Sequence, residues 1–318
     1  MTTAVADPPA GLYHPALFYS DAASYLEGVL GFVRDGLDRN EPVLVAVPEP
    51  NLSLIRSELT AEERALVRTA DMAVAGRNPG RIIGSVLTPF VEEHPHQRVR
   101  IVGEPIWAGR SAEEYPACAE HEALINVALG ASPAAILCPY DTVRLAPAVL
   151  DDATRTHPVL ASGSSRWTSP AYTDPLSLAA SFDRPLSAPP PDADVLVVTA
   201  LGGPASARRF VHEFAEQASM TPARIADLRL IAQELATNTI LHSGGSGLLS
   251  IWAVDGHIVC QLEDGGRIND PLVGRRPPGP SKIGHGLHAV HRVADLVRVH
   301  RDAHGTTVRV HVAIELDR

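Results

Sequence analysis

Lysine is nearly missing from this chain of 318 residues: of 27 Lys and Arg side chains, only Lys282 is a lysine. It stands between Ser281 and Ile283. A Walker A loop needs a lysine preceded by glycine and followed by Ser or Thr, so that its ammonium reaches the outer phosphates; no such loop exists here. Cysteine is scarce as well. Cys118, Cys138 and Cys260 are far apart and no C-x-x-C occurs, which argues against both a structural zinc and a disulfide framework. No run approaches ~18 apolar residues, so no membrane span is expected. The opening MTTAVADPPAG has neither a basic nor an apolar signal region, which fits a reduced, cytoplasmic protein. Positive charge is also deficient. A net charge of −10 argues against a general nucleic-acid binder, and no direct DNA binding is expected. At 45% hydrophobic residues the chain is too apolar to be disordered.

The remainder is patterned as two domains. Residues 14 to about 155 alternate short apolar runs with helical periodicity. Val43–Val47, Val99–Gly103 and Ala134–Cys138 read as strands, and segments near 21–39, 51–60, 79–93 and 112–129 read as helices. That alternation predicts an α/β domain with a mostly parallel sheet. Asp21 suits the N-cap of the first helix, and Ser111 with Glu114 fits a capping box. Residues 156–192 are rich in Pro and Ser and read as a linker with one short helix near 176–181. Residues 193–318 begin with a strand, Val195–Thr199, and two helices, Ala205–Ala218 and Pro222–His242. A hairpin across Asp255-Gly256, a helix 286–295 and two closing strands follow. This order predicts a two-layer α+β sandwich.

Three segments of the second domain carry candidate chemistry. Glu234, Asn238 and His242 share one face of the predicted helix Pro222–His242, although His242 also reads as a helix-end cap. Asp264 leaves a strand into Gly265-Gly266. Gly284-His285-Gly286-Leu287 opens a helix, where backbone N–H groups receive phosphate oxygens.

On these residues the second domain resembles the histidine-kinase-like (GHKL, or Bergerat) ATPases. Glu234…Asn238 looks like the N box, Asp264-x-Gly266 the first glycine box, Gly284-x-Gly286-Leu287 the second, and Gly305-Thr306-Thr307 the late Gly-Thr strand. The short form resembles bacterial anti-sigma serine kinases of the RsbW type. The resemblance implies ATP and Mg²⁺ as ligands. Asn238 would hold the metal, Asp264 would accept from the adenine amino group, and Gly266, Gly284, Gly286, Leu287 and Thr306 would line the nucleotide. Glu234 would be the general base toward a serine hydroxyl. It further implies an anti-anti-sigma antagonist and a sigma factor as partners and admits a homodimer. The family's first glycine box often carries a second glycine; Ile268 stands there here. Arg275, Arg276 and Lys282 lie in the loop between the boxes, either as phosphate contacts or as solvated charges.

The first domain resembles the MEDS sensory domain through His14–Tyr19, Gly103–Trp107, Glu120–Asn126 and Cys138–Asp141. His14, Glu104, Glu122 and Tyr140 are candidates for one sensory pocket at the sheet's carboxyl edge. Cys118 and Cys138 read as core fillers, Trp107 and Trp167 as packing anchors, and His157 as a linker residue. Three readings of function stay open. They are a protein serine/threonine kinase that sequesters a sigma factor, a nucleotide-gated binding module without transfer activity, and a sensor histidine kinase. The last requires a dimerising helical hairpin upstream of the ATPase, which the short, proline-broken segment 156–192 cannot supply, so it ranks below the other two.

Overall fold

The chain divides into two units, Met1–Phe182 and Asp183–Arg318; the structure, a computed structural model, describes residues 10–277 and 285–315.

The first unit opens with β1 (Leu12–Tyr13), β2 (Pro15–Tyr19) and α1 (Ala22–Asp38). Asp21 caps α1 as expected: its carboxylate accepts from the Ser24 N–H at 2.8 Å, and the Ser24 hydroxyl accepts from the Asp21 N–H at 3.2 Å. Then come β3 (Val43–Val47), α2 (Asn51–Glu58), α3 (Ala61–Leu66), β4 (Val67–Asp71) and α4 (Met72–Ala75). All five residues of β3 are buried, as in a strand covered on both faces. The helix expected over 79–93 is broken into α5 (Pro79–Ile82), a π-helical turn Ile83–Leu87, and α6 (Thr88–Glu92). Pro89 lies just beyond that turn. Having no N–H and a ring that crowds the preceding turn, it prevents a regular α ladder there. β5 (Val99–Gly103), α7 (Tyr115–Ala128) and β6 (Ala134–Asp141) complete the alternation. The Ser111–Glu114 box forms, with Glu114 Oε2 accepting from the Ser111 N–H at 2.8 Å, but it closes the turn that precedes α7.

Residues 156–182 correct the linker expectation, because they belong to this unit. α8 (Pro147–Thr156) leads into β7 (Val159–Ser162) and β8 (Ser165–Thr168), and α9 (Pro175–Ser181) packs on α7. The eight-stranded sheet runs β4-β3-β5-β6-β2-β7-β8, with β1 alongside β6. Every described pairing is parallel except β7–β8. The Pro and Gly that suggested a linker punctuate these elements: Pro158 follows the α8 C-cap, Gly163 (φ 52°) turns β7 into β8, and Pro175 opens α9. Residues 183–193 carry no helix or strand but are pinned to the second unit. The Asp183 carboxylate accepts from His300 at 2.7 Å and Arg301 at 3.1 Å, and Arg309 donates to the Ser187 hydroxyl at 3.2 Å.

The second unit comprises β9 (Asp194–Thr199), α10 (Gly203–Gln217), α11 (Pro222–His242), β10 (Ser246–Val254), β11 (His257–Asp264), α12 (His285–Val293), β12 (Leu296–Arg301) and β13 (Thr306–Ala313). The antiparallel sheet runs β12-β13-β11-β10-β9. Asp255 and Gly256 both have positive φ (47° and 73°), as the tight hairpin between β10 and β11 requires. Pro222 opens α11, and the Thr221 hydroxyl makes no capping bond. One face of α11 (Leu228, Ile231, Ala232, Leu235) packs with α10 (Val211, Ala215) and with Leu249, Cys260 and Val310 of the sheet. Cys260 is thus core, and burial pushes its thiol up to about 12.

Arg224 locks the base of this layer. It is 1% exposed and donates to Asp227 at 2.6 Å, to the Val293 carbonyl at 3.1 Å, to the Ala313 carbonyl at 3.2 Å, and to Asp295. Removing one member of such a buried ionic network costs about 3–5 kcal/mol, because the partners are left uncompensated. Arg224→Met should lower the urea midpoint of this unit accordingly. A loss of only ~0–1 kcal/mol, typical of an exposed pair, would contradict the assigned role.

Candidate functional site

Asn238 and His242 of the polar stripe of α11 face a cavity of about 320 Å³ between α11, the end of β11, the loop after it, and α12. Apolar walls come from Leu235, Leu262, Ile268, Val273, Leu287 and Val308, and polar groups from Asn238, His242, Asp264, Arg267, Asn269, Asp270 and Thr306. A mostly apolar slot with a few convergent polar groups suits a flat aromatic ligand with a polar edge.

Asp264 is held from two sides. Its Oδ2 accepts from the Thr239 hydroxyl at 2.7 Å, and its Oδ1 accepts from the Gly266 N–H at 2.8 Å. Each oxygen keeps a further lone pair for a ligand. The Thr306 hydroxyl donates to the Gly266 carbonyl at 2.8 Å, which fixes the turn. Gly305, with φ 150°, lies so close that a Cβ there would meet the Asp264 carbonyl oxygen at 1.9 Å; only glycine fits. Thr239 was not anticipated from the sequence, although it follows Asn238 directly and its hydroxyl orients the carboxylate.

Glu234 and Asn238 lie one turn apart on α11, both half-buried, and converge on the start of α12. A Cβ on Gly286 would lie 2.6 Å from Glu234 Oε2 and 3.6 Å from both amide atoms of Asn238. The missing side chain therefore lets the start of α12 approach a carboxylate and an amide closely, groups whose oxygens suit a hard cation such as Mg²⁺. Asn238 lines the cavity itself, whereas Glu234 stands behind Gly286 and is not among its lining residues. Leu287 forms part of the wall, and His242, at the exposed end of α11, lines the cavity too. Gly284 and Lys282 lie outside the described residues. Arg275 is buried, with the imidazole of His291 beside it, and Arg276 is exposed.

In the first unit the four expected pocket residues separate into two groups. Glu104 follows β5 and lines a cavity of about 140 Å³ at the carboxyl ends of the strands, with Tyr19, Asn51, Trp107, Asp141 and Arg144. It is buried, accepting from the Tyr25 hydroxyl at 3.2 Å and from the Asn51 amide at 3.0 Å on each oxygen. Burial raises its carboxyl to about 7, with the Asp141 charge adding to the rise, while the bonds from Asn51 and Tyr25 oppose it. The Arg110 guanidinium sits 4.0 Å over the Trp107 ring, so Trp107 is both anchor and pocket wall.

His14, Glu122 and Tyr140 do not line this cavity. They gather in the interior with Cys138 and His157, each at most 1% exposed. His157 is the C-cap of α8, not a linker residue, and Cys138 is buried in the same group. The signals for His157 were Pro158, which ends a helix one residue before itself, and the apolar run Val159–Ala161. Burial, together with the neighbouring His157, lowers the His14 pKa.

Residues 13–158 match the MEDS family, the MEthanogen/methylotroph, DcmR Sensory domain. Residues 203–312 match the histidine kinase-like ATPase domain. No curated protein matches the chain. No helix among the described residues is long and apolar enough to cross a membrane.

Glu104 sets a pH dependence for the first unit. Below about pH 4.5, the ordinary glutamate value, the carboxyl is protonated folded and unfolded alike. Between there and about pH 7 the unfolded chain releases the proton while the folded unit holds it, so stability falls as pH rises through this window. The loss is of the order of 3 kcal/mol. Glu104→Gln keeps the neutral form at every pH and should be more stable than wild type above about pH 7 but equal to it near pH 4.5. Thermal unfolding of both proteins across that window checks this, and parallel curves would refute it.

Proposed function

Starting from an N-terminal MEDS domain and a C-terminal histidine-kinase-like ATPase domain, we propose that this protein is an anti-sigma regulatory factor. In this reading it binds Mg-ATP, transfers the γ-phosphoryl group to a serine or threonine of an antagonist protein, and so controls its hold on a sigma factor. The convergence of Glu234 and Asn238 on the side-chain-free Gly286 carries the reading. A phosphoryl transfer needs little covalent help from the protein but does need positioning, charge neutralisation and a base near the nucleophile. The cavity and its glycine-lined end fit a nucleotide.

Asp264, oriented by Thr239 and Gly266, would accept from the exocyclic amine of the base. The apolar walls, Leu235, Leu262 and Leu287 among them, would hold the ring and exclude water. The Asn238 amide oxygen would hold Mg²⁺. When bound, that ion supplies charge neutralisation at the phosphate oxygens. Glu234, one turn before, would take the proton from the incoming hydroxyl. Residues 156–182 fold as part of the first unit and 183–193 carry no helix, so the described residues leave no dimerising helical hairpin ahead of the ATPase. That disfavours the sensor histidine kinase. The nucleotide-gated module without transfer remains a second reading, favoured by the place of Glu234 behind Gly286 rather than on the cavity wall.

The test uses the full chain and labelled ATP with candidate antagonists. Glu234→Gln should keep nucleotide affinity and slow transfer ~10²–10⁴-fold, whereas Asn238→Ala should lose Mg²⁺-dependent binding. ATP-dependent association with an antagonist, with no transfer by wild type, would favour the gated module. Calorimetry without nucleotide binding at millimolar Mg-ATP would defeat both.

A further inference from the structure

Within the first unit four side chains from distant parts of the sequence meet in the interior. His14 lies between β1 and β2, Glu122 is on α7, Cys138 is in β6, and His157 is at the end of α8. Their ligand-type atoms all lie within 4.8 Å of one another. Glu122 Oε2 is 3.3 Å from His14 Nε2 and 3.2 Å from His157 Nε2, and Cys138 Sγ is 3.4 Å from His14 Nε2. Both Glu122 oxygens and His157 Nε2 make no hydrogen bond although they are sealed from water. Leaving such groups unpaired is costly.

The outer nitrogens of the two imidazoles are already committed. His14 Nδ1 is 3.1 Å from Asn126 Oδ1, and the Asn126 amide nitrogen donates to the Thr156 carbonyl at 2.8 Å. That bond presents the amide oxygen to His14, so Nδ1 carries the hydrogen. His157 Nδ1 is 2.9 Å from the Ala153 carbonyl, which can only accept. Both rings are thus held with Nδ1–H outward and the Nε2 lone pair inward, the arrangement found for metal-bound histidine.

The inward distances decide between two explanations. Charge-assisted N–H···O bonds run ~2.7–2.9 Å, shorter than both carboxylate–imidazole contacts. Around a tetrahedral zinc with bonds of ~2.0–2.3 Å, neighbouring ligand atoms stand ~3.3–3.7 Å apart, which the contacts approach. A thiolate and a carboxylate also balance a divalent cation, so the filled centre would be neutral, as a dry interior requires.

We propose that His14, Glu122, Cys138 and His157 form a closed four-ligand Zn²⁺ site. Imidazole and thiolate donors select a borderline-soft cation, and four protein ligands in a sealed site mark it as structural. The single cysteine is why the absence of C-x-x-C in the sequence does not bear on it. The ion would bind the β1–β2 junction, β6, α7 and the end of α8 into one piece.

The test is elemental analysis and X-ray absorption of the untagged full chain grown with zinc. We expect zinc equimolar with protein and a shell containing one sulfur alongside lighter donors. Cys138→Ser and His157→Gln should each reduce the zinc to background. Asn126→Ala, which releases His14, should weaken zinc affinity ~10–100-fold, read by competition with a chromogenic chelator. Tyr140→Phe should keep it, since the phenol is not a ligand. Wild-type protein that neither contains nor takes up zinc overturns the proposal, as does a zinc shell without sulfur; both are measured on a chain whose folding no substitution disturbs.

Discussion

The rotation of α11 about its own axis governs the second unit. Leu228, Ile231, Ala232 and Leu235 are at most 2% exposed. Burying each large aliphatic side chain is worth roughly 1.5–3 kcal/mol, and that stripe can face the sheet in only one way. With it set, Glu234 and Asn238 point toward α12, and Thr239 toward the end of β11. The site is therefore a by-product of core packing. Arg224, one helical turn before Leu228, ties the same helix to β13, to the last residue of α12 and to Asp295 beyond it. The helix can neither roll nor slide without breaking a buried ionic network.

In the first unit the alternation of strand faces does the sorting. Along β6, Cys138 and Tyr140 share one face, and Leu137 belongs to the cluster that also holds Leu17 and Tyr25. Glu104 meets Tyr25 and Asn51 at the strand ends, and Glu122 reaches the Cys138 face from α7. Two carboxylates that look equivalent in sequence thus meet different conditions. One is pushed toward neutrality by burial. The other is sealed in the interior beside His14, His157 and Cys138.

How far the sequence could be read followed from the range of the signal. Val43–Val47 is an uninterrupted apolar run and Val99–Gly103 is broken only by Arg100, and the structure makes them strands over those same residues. Asp255-Gly256 announced its hairpin because the turn's positive φ values are a local demand. Glu234, Asn238 and Asp264 were legible because a helix period and a hairpin end are local patterns. β7 was missed because its apolar run, Val159–Ala161, is short and flanked by Pro158 and Gly163, and its partner β2 lies at the other end of the unit. His157 was lost with it. Residue types alone could not show that Glu104 and Glu122 part company, since that depends on which side of a sheet each helix and loop covers.

The sheet order also fixes when this protein can become a protein. β2 sits between β6 and β7, so Ala16 pairs with Cys138 and Pro15 with Val159. Emerging from the ribosome, the first strands have no neighbours until almost the whole unit has been made. Contacts of such sequence separation close slowly and leave strand edges bare meanwhile. A chain stopped short of His157 would lack the outer neighbour of β2 together with the last of the four interior ligands to be synthesised. The unit that bears the sensory resemblance therefore cannot seat β2 between its two neighbours until it has been made almost to its end.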